Sequence, residues 1–191
     1  MLTATYSLVV IAAEHDSARG MLRRLRQYIQ TTWSGLNNID FAFLENALGK
    51  LMQFDKYCRT RKIEVYLIPF LRKAGREVEG LVAELNALSA QGQSILRLIG
   101  EQLDGAFDLS RTKVNELCHA MEAYCNYWMA RLEKEEEQLL PMARRLLSID
   151  DWFAIAAQFL SDDAGGNGSK RHKPAPSRSV AKNRTSNANL R

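Results

Sequence analysis

Apolar residues recur at helical spacing along four long stretches of this chain, and polar side chains break those stripes at only a few positions. Over residues 6–30, Leu8, Ile11, His15, Ala18, Leu22, Leu25 and Ile29 share one face. Over 38–73 the face carries Leu44, Leu48, Met52, Asp55, Arg59, Ile63, Tyr66 and Phe70. Over 76–103 it carries Val78, Val82, Leu85, Ser89, Gly92, Leu96, Ile99 and Leu103. The fourth, over 111–147, has Val114, Leu117, Met121, Tyr124, Trp128, Arg131, Glu135, Leu139 and Met142. Trp152, Phe153, Ile155, Ala156 and Phe159 mark a short fifth helix over 149–160. No segment alternates with the two-residue period of a strand.

Turn chemistry separates these stretches. Ser34-Gly35 and Asn37-Asn38 divide the first pair, Ala74-Gly75 the second, and Asp104-Gly105 with Ser110 as N-cap the third. Pro69 and Pro141 each lie inside a helical pattern, which predicts a kink near the end of the second and fourth helices. Short connections between long helices favour antiparallel neighbours. The expected fold is all-α, an up-down-up-down four-helix bundle with a short C-terminal fifth helix.

Composition refines this to one domain and a tail. The 191 residues are 46% hydrophobic, enough for one sizeable core over 1–163. From Ala164 onward the chain holds seven basic residues and no acid, with Gly, Pro, Ser and Asn in place of apolar groups. Such a stretch buries too little surface to offset its ordering entropy, so 164–191 reads as a disordered basic tail. Subtracting its seven charges from the net +4 leaves the folded part at about −3, which argues against a basic nucleic-acid surface. Cys58, Cys118 and Cys125 sit inside helical patterns without disulfide or finger spacing, and suit reduced thiols of a cytoplasmic protein. The run Leu8–Ala13 is short and lacks a basic leader, so no signal peptide is expected; no stretch is long enough to span a membrane.

Candidate chemistry lies where polar groups sit on apolar stripes. A lone His on such a face, here His15, is more often a hydrogen-bonded core residue than a ligand. Glu135, between Trp128 and Leu139, needs a cation, a donor or a proton if buried. Arg131 lies one turn before it, and the plainest reading of that spacing is a partly exposed intrahelical ion pair. Glu133, Glu136 and Glu137 read as a solvated face, Glu64 as surface-facing, and His119 as structural. Tyr124, Tyr127 and Trp128 read as core. No Ser/His/Asp, Cys/His or phosphate-loop pattern stands out, so no enzyme is expected.

Two stretches 72 positions apart repeat each other. Arg59, Leu67, Pro69 and Arg72 in one match Arg131, Leu139, Pro141 and Arg144 in the other, and Glu64 matches Glu136. Both resemble the second and fourth helices of the hemerythrin (HHE cation-binding) family. Glu14-His15, Ser89-Ala-Gln-Gly92 and Asp151-Trp152-Phe153 extend the resemblance over roughly residues 6–160. It implies a bundle holding a carboxylate-bridged di-iron centre with His and Glu ligands. Carried over by position, the helix-one His is His15 and the helix-four Glu is Glu135. The remaining ligand positions fall on Arg59, Ile63, Ser89 and Arg131. Only His15 and His119 occur before the tail, and a guanidinium does not ligate metal.

The expectation is a pseudo-site in which Arg59 and Arg131 pair with Glu135 and Asp55, completed by Ser89 or His15. Alternatively the two arginines line an anion pocket. The function expected is a non-enzymatic interaction or sensory module without cofactor, its protein partner unknown and its oligomeric state open. Two alternatives stand beside it. One is iron held in a reduced site on His15 and Glu135, with His119 or Glu64. The other is weak binding of nucleic acid or an acidic partner through the tail.

Overall fold

A computed structural model describes residues 2–35, 41–104 and 110–168, and those residues are helical apart from short connections, with no strand among them. Helices α1 (Leu2–Gly35), α2 (Phe41–Arg59), α4 (Val78–Asp104) and α5 (Arg111–Lys134) are the long elements. Two short helices, α3 (Ile68–Ala74) and α6 (Leu140–Leu146), prolong α2 and α5, and α7 (Ile149–Gly168) closes the described chain. Helix α1 packs on α2, α5 and α7, while α4 packs on α5 and α2. No described helix is long and apolar enough to cross a membrane.

The ends follow the residues that cap them. Gly75 ends α3, its N–H bonding the Leu71 carbonyl at 3.2 Å. The Ser110 hydroxyl accepts from the Lys113 N–H at 3.3 Å at the start of α5. Ser148 and Asp151 cap α7 reciprocally: Asp151 N–H donates to the Ser148 hydroxyl, and Ser148 N–H to the Asp151 carboxylate. That helix reaches Gly168, beyond the 149–160 expected, so the predicted tail boundary at 164 falls inside it. Residues 169–191 lie outside the described residues, as do Asn37-Asn38 and Gly105. Within α7, Trp152, Ile155, Ala156 and Phe159 are buried, whereas Phe153 faces outward.

The second predicted helix is not continuous. It breaks at Thr60 and Arg61, where Thr60 N–H folds back on the Tyr57 carbonyl and Arg61 N–H on that of Cys58. Glu14 of α1 caps this break, its carboxylate accepting the Lys62 N–H at 2.8 Å. Downstream, Ile63–Leu67 forms a π-turn, and Glu135–Leu139 forms another 72 positions later. Each ends two residues before its proline. Proline has no N–H and its ring crowds the carbonyl four residues back, so the preceding ladder re-registers. Ile68 N–H reaches the Ile63 carbonyl and Leu140 N–H the Glu135 carbonyl, each five residues back. The expected kinks therefore take the form of paired π-turns.

Two apolar clusters fill the interior. One gathers around Leu22, Phe54, Tyr124 and Trp128, the other around Ile11, Leu67, Trp152 and Phe159. Along α1 the chain passes from Ile11 to Ala18 through His15, and along α5 from Leu132 to Leu139 through Glu135. Between Cys58 and Ile63 the same passage runs through Arg61. His15, Arg61, Arg131 and Glu135 form a buried polar layer between two apolar cores.

Candidate functional site

Glu135, the first residue of the second π-turn, is fully buried at the centre of this layer. A carboxylate there is tolerable only if its oxygens are satisfied by donors. Oε1 accepts from Arg61 Nη2 at 2.7 Å and from Arg131 Nε at 2.9 Å. Oε2 accepts from Arg61 Nη1 at 2.9 Å and lies 2.9 Å from His15 Nε2. Arg61 thus grips the carboxylate with both arms of its fork, the geometry that guanidinium–carboxylate pairs favour.

Arg131 ties the layer to α4. Its Nη1 donates to the Leu85 carbonyl and the Ser89 hydroxyl, each at 2.6 Å, and its Nη2 donates to Glu64. Glu64 also lies 3.6 Å from Arg61 Nη2. Two guanidinium cations and two carboxylates balance, so the layer carries no net charge apart from His15. Trp128 closes it from the apolar side, with Arg61 and Arg131 standing 5.9 and 5.4 Å from its ring. Phe54 meets that ring edge-on at 5.6 Å.

These surroundings set the titration behaviour. Burial alone would raise the Glu135 pKa. The Arg61 charge, hydrogen bonds from His15 and Arg61, and the Arg131 charge outweigh it and hold the group at about 2, below its ordinary 4.5. Glu64 goes the other way: burial raises it despite Arg131, and the Glu135 charge adds to the rise. Glu14 is raised by burial against the Lys62 amide. Burial pushes the Cys58 and Cys125 thiols up to about 12 and Cys118 to about 11, which makes them poor nucleophiles.

A pH dependence of stability follows. A lowered folded-state value means that Glu135 contributes fully above about 4.5, and that its contribution is lost as pH falls toward 2. The raised groups Glu14 and Glu64 bind protons in the folded state first, so they add stability as pH falls through their folded values. Melting temperature should hold or rise on mild acidification from pH 7 and drop steeply below about 4.5. Glu135→Gln should flatten the steep limb; an unchanged limb in that variant would assign acid unfolding to other groups.

Of the residues singled out in the sequence, His15, Ser89, Arg131 and Glu135 come together. Arg59 does not join them. It sits before the break, 59% exposed, and turns Nε and Nη2 to Asp55 at 2.9 and 2.7 Å. Ile63 packs in the second apolar cluster. His119 is exposed, its Nδ1 2.8 Å from the Asn115 carbonyl oxygen. Glu64, expected at the surface, is half-buried against Arg131. Arg61 was not foreseen, because counting back from Pro69 along an unbroken helix places Arg59 inward. Its place in the basic run Arg59-Thr-Arg-Lys62, beside a half-polar stripe, gave no means of choosing it.

The residues present do not fit a di-iron centre. His15 and Glu135 contact each other, and two guanidinium groups hold both carboxylate oxygens. Among the described residues no three His, Cys, Asp or Glu side chains converge in a way that could hold a metal ion. No protein-family model, curated protein or solved structure matches the chain.

Proposed function

We propose that the chain is a hemerythrin-like, up-down-up-down four-helix bundle whose internal ion network stands where that family keeps its metal. On this reading it is a non-enzymatic interaction or sensory module with a protein partner. The observation that carries it is the saturation of Glu135, the one carboxylate at a family ligand position, by Arg61, Arg131 and His15. A cation entering beside Glu135 would have to displace two guanidinium groups that repel it. The same network supplies the positive charge a buried carboxylate needs, so the fold has no requirement for an ion. Three buried free thiols support a reducing, cytoplasmic setting.

Metal analysis of the purified, untagged protein tests this reading. Metal should be well below one ion per chain, and a strong chelator should leave the melting temperature unchanged. One or two iron atoms per chain with a visible absorption band, or a chelator-induced fall in melting temperature, would overturn it in favour of an atypical iron site at His15 and Glu135.

A further inference from the structure

Away from the polar layer, helices α1 and α2 leave a cleft of about 410 Å³ between them. That volume lies in the range of small-molecule sites, which are mostly apolar with a few polar groups placed around them. On α1, Met21, Leu25 and Tyr28 recur at helical spacing and line the cleft half-buried. From α2 comes Phe54, only 2% exposed, with Lys50 and Gln53 one turn before it on the same side. Arg24 stands exposed at the edge of the α1 face, as Lys50 and Gln53 do on that of α2.

The charges of the lining are of one sign. Arg24 and Lys50 are both cations, and among the described residues no acidic side chain lines the cleft. Residues 1–163 carry a net charge of about −3, so this local +2 runs against its background. Neither cation takes part in an ion pair among the described residues. Lys50 Nζ stands 5.5 Å from the centre of the Tyr28 ring. The Arg24 guanidinium runs back along α1, its Nη1 3.7 Å from the place a Cβ on Gly20 would take. Gly20 and Tyr28 are eight residues apart, about 12 Å along a helix, so the two cations mark opposite ends of the apolar wall. An exposed cation is well hydrated and calls for no partner by itself. Here two of them flank apolar surface that water still reaches, and the lining holds no carboxylate to neutralise either.

We propose that this cleft binds an organic carboxylate with an apolar body. The body covers Met21, Leu25, Tyr28 and Phe54, and the carboxylate meets Arg24 or Lys50. A second carboxylate at the far end of the ligand meets the other cation. A neutral apolar ligand would leave both charges unanswered, and a small inorganic anion would leave the wall wet. The cleft shares no residue with the layer around Glu135, so it stands whether or not the chain holds a metal.

Titration calorimetry of the full chain with sodium octanoate and, separately, disodium decanedioate tests the proposal. Sodium acetate supplies the charge without the body, and 1-octanol the body without the charge. Octanoate should bind saturably with a Kd near or below about 1 mM, about fivefold tighter than octanol, while acetate gives no saturation. The tighter of the two longer acids tells a one-ended from a two-ended ligand. The double variant Arg24→Gln, Lys50→Gln changes two exposed residues and should keep its helical circular dichroism. Its affinity for octanoate should fall to that for octanol, with octanol binding unchanged. Gln53→Glu, which puts an acid into the lining, should weaken octanoate in the same direction and decides the matter if the double variant unfolds. Octanol binding as tightly as octanoate, an undiminished octanoate affinity in these variants, or no saturable binding of either longer acid overturns the proposal. Metal content bears on the polar layer alone, so this site and the metal-free reading fail separately.

Discussion

Glu135→Ala should cost about 3–5 kcal/mol of folding stability, a fall of roughly 10 °C or more in melting temperature. The cost comes from what remains behind rather than from the lost side chain. Arg61 and Arg131 are both about 1% exposed; Arg61 directs its fork at Glu135 and Arg131 its Nε. Without the carboxylate, two cations face each other in a space with little water. Arg131 keeps Glu64, Ser89 and the Leu85 carbonyl, whereas Arg61 keeps only Glu64 at 3.6 Å. Chemical denaturation of the variant measures the loss directly. A triple variant, Glu135→Leu with Arg61→Met and Arg131→Met, removes the charges together and should recover much of it, since an apolar replacement of a whole buried network is often neutral. A loss below about 1 kcal/mol in Glu135→Ala would mean that water reaches the layer.

Arg61→Met and Arg59→Met should differ widely although the residues are two apart. Arg61 is the bidentate partner of a fully buried carboxylate, so its removal should cost about 3–5 kcal/mol. Arg59 is a mostly exposed arm on Asp55, and its removal should cost about 1 kcal/mol or less. Arg61→Lys should not restore stability, because an ammonium group cannot span both oxygens as the planar fork does. Urea midpoints of the three variants decide the matter. Equal losses for Arg59 and Arg61, or full stability in Arg61→Lys, would contradict the assignment of Arg61 as the central cation.

The helical character, the caps at Ser110 and Gly75 and the inward direction of His15, Arg131 and Glu135 were legible because they depend on local periodicity and turn chemistry. Arg61 was not. Its inward turn depends on an interruption at Thr60 that is closed where Glu14 accepts the N–H of Lys62, 48 positions away, and no local pattern encodes that contact. Glu64 was hidden for a related reason. As the counterpart of Glu136, which lies half-exposed against Arg19, it reads as a surface residue. The π-turn after the break rotates it toward Arg131 instead.

Each π-turn also bears on which changes of length the chain tolerates. A π-turn holds one residue more than the α-helical turn it replaces, so removing a residue there restores ordinary helix and leaves the following segment in phase. Elsewhere in these helices a one-residue deletion rotates everything downstream by about 100° and turns the apolar stripe outward. Ile63–Leu67 and Glu135–Leu139 are therefore the places where the second and fourth rods can shorten by a single codon and still present α3 and α6 to the core. Glu136 and Glu137 are exposed, which makes them the residues to lose, with Glu135 kept in its grip of nitrogen donors.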